Sequence, residues 1–122
     1  IPLNDEEFLD VKGRDLITGL PKTIKLGSNE VLEAINDSLM QIVNNVKAVL
    51  EKTPPELSAD IVDKGIVMTG GGSLIREFPK LLSNYTLLPV YLAENALESV
   101  VLGAGLALDK LDVLRKIEKM ER

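Results

Sequence analysis

Cysteine, histidine and tryptophan are all missing from this 122-residue chain. Without cysteine there is no disulfide framework, no thiolate metal site and no cysteine nucleophile. Without histidine the commonest general base and metal ligand is gone. Aromatic residues are scarce, two Phe and two Tyr, so a core has to be aliphatic. Positive charge is in deficit. With 14 basic and 19 acidic residues the net charge is -5, and the broad electrostatic footprint of a nucleic-acid or anionic-lipid binder is lacking. No apolar run approaches the roughly 18 residues of a membrane span, and no signal-peptide pattern is read at the start. The expectation is a soluble cytoplasmic module. The first residues, Ile1-Pro2, lead us to expect a piece of something longer.

What is present is a chain 45% hydrophobic, long enough for one small domain that buries roughly two-thirds of its extended surface. Residues 8–11 and the alternating Lys22-Thr23-Ile24-Lys25-Leu26 read as two strands of a β-hairpin, with Gly13, Gly19 and Pro21 between them. Ser28 suits the N-cap of a long helix over about 28–52, with Glu30 in its first turn. Val31, Ile35, Leu39, Ile42, Val46 and Val49 recur every three or four residues along one face. Pro54 ends that helix and starts a short one reaching about Asp63, with Thr53 as cap and Glu56 as capping-box partner. Lys64 and Gly65 suit its C-terminus.

Ile66-Val67-Met68-Thr69 then reads as a buried parallel strand that ends in Gly70-Gly71-Gly72. A single helical turn over 73–78 is followed by a helix with Pro79 at its first position. Residues 88–92 form another buried strand. Asn95 and Glu98 offer a cap and capping box for one last helix running through Val100 and Leu111 to Ile117, with Gly103 and Gly105 inside it. The class is α/β, in the order β-β-α-α-β-α-β-α. A two-stranded parallel sheet is no stable core, so we expect neighbouring strands from residues outside the chain or from a second copy.

Three places have the residues for chemistry or binding. Gly70-Gly71-Gly72-Ser73 sits where a strand passes into a helical turn. Glycines there let a ligand approach the backbone and its N–H groups. The Lys of a Walker A loop and the spacing of a GxGxxG loop are both absent, which excludes those phosphate cradles. An ordinary tight turn is the plainer alternative. Gly103-Ala104-Gly105 suits close helix packing, or a hinge beside a ligand. Lys12-Gly13-Arg14-Asp15 is either a solvated hairpin or a positive tip for a partner or phosphate. Asp60 and Asp63 are close, but nothing converges on them, and no carboxylate pair, triad or metal-ligand set is found.

Taken together these residues resemble the MreB family of bacterial actin-like cell-shape proteins. The likeness is carried by Lys12-Gly13-Arg14-Asp15-Leu16 with Thr18-Gly19-Leu20-Pro21-Lys22-Thr23, and by Thr53-Pro54-Pro55-Glu56-Leu57 with Asp60-Ile61 and Asp63-Lys64-Gly65. The stretch from Ile66 to Ser73, Pro89-Val90, Ala93-Glu94-Asn95 and Gly103-Ala104-Gly105 complete it. The resemblance implies the C-terminal part of the second lobe of an actin-like, RNase H-like ATPase. Residues 1–53 would be its outer subdomain and 54–122 part of its inner one. It implies ATP, with magnesium in the parent, held beside Gly70, Gly71, Gly72, Ser73 and Leu74. The phosphate loops and magnesium carboxylate would lie outside the chain, so the piece would not be an enzyme by itself. Implied partners are further copies in filaments, the rest of the two-lobed protein and cell-wall elongation proteins. Contact with the inner face of the membrane would be made through other parts, and nucleic acid is not a partner. Asn95-Ala96 stands where Asp/Asn-Pro is common, and Ala104 replaces a more usual Thr or Gly. The alternatives are another actin-superfamily ATPase, of sugar-kinase or chaperone type, or a free-standing helical interaction module.

Overall fold

The computed structural model describes residues 5–120, with side chains through residue 116, so Ile1, Pro2 and the side chain of Ile117 lie outside it. Two compact units divide the chain, Ile1–Pro54 and Pro55–Arg122.

In the first unit β1 (Phe8–Arg14) and β2 (Pro21–Gly27) pair antiparallel, from Phe8 opposite Gly27 to Arg14 opposite Pro21. Both strands run longer than their alternation predicts, because the connection between them is tightly built. The Oδ1 of Asp15 accepts the N–H groups of Ile17 at 2.8 Å and Thr18 at 3.0 Å, an Asx turn. Gly19, at φ 71°, returns its N–H to the Asp15 carbonyl at 2.8 Å, and Arg14 Nε donates to the Gly19 carbonyl at 2.9 Å. Lys22 Nζ lies 3.6 Å from Asp15 Oδ2. The Thr18 N–H, then that of Ile17, holds the Asp15 carboxyl below its ordinary value; Lys22 adds to this against a desolvation effect of opposite sign. Lys25 Nζ sits 4.7 Å from the centre of the Phe8 ring.

Helix α1 (Ser28–Lys52) follows β2 directly. Its N-cap is Gly27 and not Ser28, a correction with a simple cause. Gly27 still has the extended conformation of the strand it ends, so the cap falls one residue earlier. The Glu30 carboxylate accepts the Gly27 N–H at 3.0 Å. Ser28 instead fastens the helix start to the chain before β1: its Oγ accepts the Glu7 N–H at 3.1 Å, and its own N–H donates to the Glu7 carbonyl at 2.8 Å. Leu39 of the predicted stripe is buried, as is Val43 beside it, whereas Val31, Ile42 and Val49 of the stripe stay exposed. At the other end Thr53 donates from Oγ1 to the Val49 carbonyl at 2.8 Å and from its N–H to that of Leu50 at 3.1 Å.

The second unit opens with α2 (Pro55–Lys64), one residue later than Pro54 suggests. Pro54 itself precedes a proline, and that position is driven out of the helical region. Gly65 then turns at φ 79°, with its N–H on the Ile61 carbonyl at 2.8 Å. A Cβ there would meet the Pro89 carbonyl oxygen at 2.5 Å, so conformation and space both demand glycine.

Strand β3 (Ile66–Met68) pairs parallel with β4 (Val90–Leu92), Ile66 opposite Val90. Between them come a 3-10 turn (Gly71–Leu74) and α3 (Phe78–Thr86), with Pro79 in its first turn. Phe78 and Leu82 of α3 are buried, as is Ala96, and α3 packs beside β4. The last helix is two: α4 (Ser99–Leu108) and α5 (Leu111–Met120). The Asn95 carbonyl accepts the Glu98 N–H and the Ser99 hydroxyl, which closes a turn before Ser99 and delays the helix start. A Lys110 N–H bond to Ala107, three residues back, tightens and ends α4.

Burial on both faces, expected of β3 and β4, is not met among the described residues. Val67 is 61% and Tyr91 54% exposed. The two strands form a sheet of their own, and the hairpin forms another. Such a pair has too little apolar cover to be a closed core.

Two outcomes follow. Replacing Gly65 by alanine is expected to destabilise the protein by about 1–3 kcal/mol in urea denaturation, through left-handed strain and the clash with Pro89. Because Asp15 has a lowered folded-state value, its contribution is complete above the ordinary carboxylate range and fades as pH falls through the folded value. An NMR titration of its carboxyl is expected to show a midpoint below 3.8, and Asp15→Ala to remove the acid-limb loss of hairpin stability.

Candidate functional site

The carboxyl ends of β3 and β4 lie side by side, where ligands bind in open parallel sheets. The loop after β3 is the glycine run. Gly70 has φ 82° and ψ 167°, a region essentially closed to residues with a side chain. Its N–H donates to the Ala96 carbonyl at 2.6 Å, across to the loop after β4. Its own carbonyl accepts the Ser73 hydroxyl at 2.6 Å and the Ser73 N–H at 3.2 Å. Ala96 and Ser73 are buried at this junction.

The glycines therefore divide their tasks. Gly70 makes the turn. Gly71 and Gly72 begin the 3-10 turn and lie exposed. A Cβ on Gly72 or Gly70 would meet nothing within 4 Å, whereas one on Gly71 would come within 3.3 Å of Leu97 Cδ2. At Gly70 and Gly72 the chain itself leaves empty the volume that a side chain would fill. The result is a bare patch of backbone, held rigidly from behind, that a polar ligand can approach to hydrogen-bonding distance.

Of the predicted site residues, Gly70 to Leu74 are contiguous on this turn, with Leu74 half exposed. The Ser73 hydroxyl points inward and clamps the turn. Gly103 and Gly105 lie on α4, where a Cβ would meet nothing within 4 Å, so the close packing expected of them is not made by the described residues. Lys12-Gly13-Arg14-Asp15 is in the hairpin: Arg14 and Asp15 build its turn, and Leu16 and Ile17 beside them are almost wholly exposed. Sequence reasoning missed the loop over 93–98, reading it only as a helix cap. Nothing local in Asn95-Ala96-Leu97 signals a bond to a turn more than twenty residues away. Among the described residues no group of three or more acidic side chains could hold a metal, and no helix is long and apolar enough to cross a membrane.

Comparison with known proteins gives a consistent result. A family model described as MreB/Mbl protein matches residues 1–116. The cell shape-determining protein Mbl of Bacillus subtilis is 47% identical over 110 residues, which cover 90% of this chain and 33% of the relative. The cell shape-determining protein MreB of Escherichia coli is 43% identical over 112 residues, 92% of this chain and 32% of its own length. Among solved structures, MreB5 of Spiroplasma citri bound to ADP aligns with a TM-score of 0.83 at 33% identity, covering 97% of this chain and 35% of that one. The same protein bound to AMPPNP aligns at 0.82. The fold is thus actin-like, as expected. The chain spans about a third of the length of these relatives. The matches lend no support to a position in the C-terminal part of the second lobe.

The two exposed-volume glycines are expected to differ in a stability measurement. Gly70→Ala is expected to cost about 1–3 kcal/mol, because its backbone conformation is glycine-only. Gly72→Ala is expected to stay within about 0.5 kcal/mol of the parent in the same urea titration.

Proposed function

The chain belongs to the MreB/Mbl family, and on that premise we propose that it forms one wall of the nucleotide site of a two-lobed actin-like ATPase. That protein assembles into filaments at the inner face of the membrane and directs cell shape and wall synthesis. Residues 1–53 belong to the outer subdomain of a lobe and 54–122 to its inner, RNase H-like subdomain. Partners are further copies of the same protein, the remaining two-thirds of the two-lobed molecule and proteins of wall elongation. The family match does not favour a sugar kinase, a chaperone-type ATPase or a free-standing helical module.

The observation that carries this reading is the bare turn at Gly70–Gly72, set at the carboxyl end of a parallel strand pair. Similar structures of the family hold ADP and AMPPNP. The empty side-chain volume at Gly70 and Gly72 fits a nucleotide pressed against the backbone. Gly70, Gly71, Gly72, Ser73 and Leu74 would hold it, the glycines by backbone approach and Ser73 by fixing the turn. Bound ATP supplies the phosphoanhydride bond whose hydrolysis switches the protein. The chain's own share is to orient that ligand and exclude water from one side. Phosphoryl transfer depends on positioning and metal charge, which the remaining parts of the two-lobed protein would bring.

Gly72→Val, introduced into the protein that its native gene encodes, is expected to weaken ATP binding about tenfold or more while leaving the melting temperature near that of the parent. Unchanged affinity in isothermal titration would remove this turn from the site. The isolated 122-residue chain is expected to hydrolyse ATP no faster than buffer; reproducible turnover by it would contradict the division of labour.

A further inference from the structure

Leu16 and Ile17 are 98% and 96% exposed, the barest large aliphatic side chains among the described residues. They stand at the tip of the hairpin, and the tip is not loose. The Asp15 carboxylate accepts the Ile17 and Thr18 N–H groups at 2.8 and 3.0 Å. The Gly19 N–H returns to the Asp15 carbonyl at 2.8 Å, and the Asp15 N–H donates to the Leu20 carbonyl at 2.9 Å. Two adjacent apolar side chains are thus held out on a backbone already ordered before anything binds. Cations surround them. Lys12 lies opposite Thr23, Gly13 opposite Lys22 and Arg14 opposite Pro21. Lys12 and Arg14 therefore share one face of the ribbon and Lys22 takes the other. The acid nearest the tip, Asp15, is occupied by the turn and has Lys22 Nζ 3.6 Å away. From residue 8 to 27, Lys12, Arg14, Lys22 and Lys25 stand against Asp10 and Asp15, a local excess of two positive charges in a chain of net charge -5.

We propose that the hairpin tip is a lipid contact: Leu16 and Ile17 enter the acyl region of an anionic bilayer while Lys12, Arg14 and Lys22 lie among its phosphate headgroups. The inference is independent of the nucleotide reading. Area and shape favour lipid over a protein groove. Burying both side chains removes roughly 200 Å² of apolar surface, far below the about 1,200 Å² of a stable protein–protein interface. A bilayer asks for no matching surface, and it rewards an isolated aliphatic group wherever that group can reach the acyl chains. The collar supplies the second signal that one small apolar anchor needs for a useful hold. Its charge is positive although the chain as a whole is acidic, which selects an anionic surface and not a neutral one.

The test places a reporter at the tip of the protein that the native gene encodes. This chain contains no tryptophan, so Ile17→Trp is compared with the parent on vesicles of phosphatidylglycerol mixed with phosphatidylcholine, and on phosphatidylcholine alone. Trp emission is expected to shift to the blue, and to be quenched by acyl-brominated lipid, on the anionic vesicles only. In cosedimentation, Leu16→Ser combined with Ile17→Ser is expected to weaken partition onto anionic vesicles about tenfold, and Lys12→Gln about fivefold at low salt. Thermal melts of these variants are expected to match the parent, because the substituted apolar side chains touch almost nothing. Vesicle-bound protein with Trp emission unshifted and unquenched would overturn the proposal. So would equal quenching on neutral vesicles, which would leave the collar without a role. A blue shift that accompanies self-assembly without vesicles would show that the tip seats in a second copy, and would overturn it equally.

Discussion

The 2.6 Å hydrogen bond from the Gly70 N–H to the Ala96 carbonyl is the constraint on which the candidate site depends. It joins the loops that leave two neighbouring parallel strands, and each loop would be ill-defined without the other. Gly70 reaches Ala96 only in a backbone conformation that glycine adopts freely. The Ser73 hydroxyl then fixes the Gly70 carbonyl from the opposite side. With both polar groups of Gly70 satisfied inside the protein, Gly71 and Gly72 remain exposed, and at Gly72 nothing stands within 4 Å of where a side chain would begin. The turn is thus rigid behind and bare in front, the combination that ligand contact by backbone requires.

The rest of the second unit serves to place that turn. Gly65 lets α2 end directly beside Pro89, which sets β3 against β4. Helix α3, with Phe78 and Leu82 buried, packs beside β4 and so holds the other end of the connection. Elsewhere the chain leaves much aliphatic surface uncovered. Helix α4 contains no charged residue, yet Val100, Val101, Leu102, Leu106 and Leu108 are all exposed. Exposed apolar surface on that scale is the kind that an interaction face presents.

Periodicity and punctuation made much of the architecture legible in the sequence. The order of strands and helices, the long amphipathic α1, the glycine after α2 and the strand–glycine–turn unit all follow from local rules. The errors lie where a local rule competes with a neighbour. Ser28 is a good cap, but the strand before it already supplied one at Gly27. Pro54 is a good first helical residue, but Pro55 forbids it the helical conformation. The last helix breaks at Asp109-Lys110, where no proline or glycine announces it. Of the site, the glycine run was visible, and the inward role of Ser73 and the partnership with residues 96 and 97 were not. Those depend on two strands being side by side, which is a tertiary fact without a local signature.

The central claim is that a nucleotide lies against the backbone of residues 70–72. A structure of the protein that its native gene encodes, crystallised with a non-hydrolysable ATP analogue, tests it most directly. The account predicts ligand atoms in van der Waals or hydrogen-bond contact with Gly70–Gly72, occupying the volume that side chains there would fill. A nucleotide bound elsewhere, with this turn open to solvent, would contradict it.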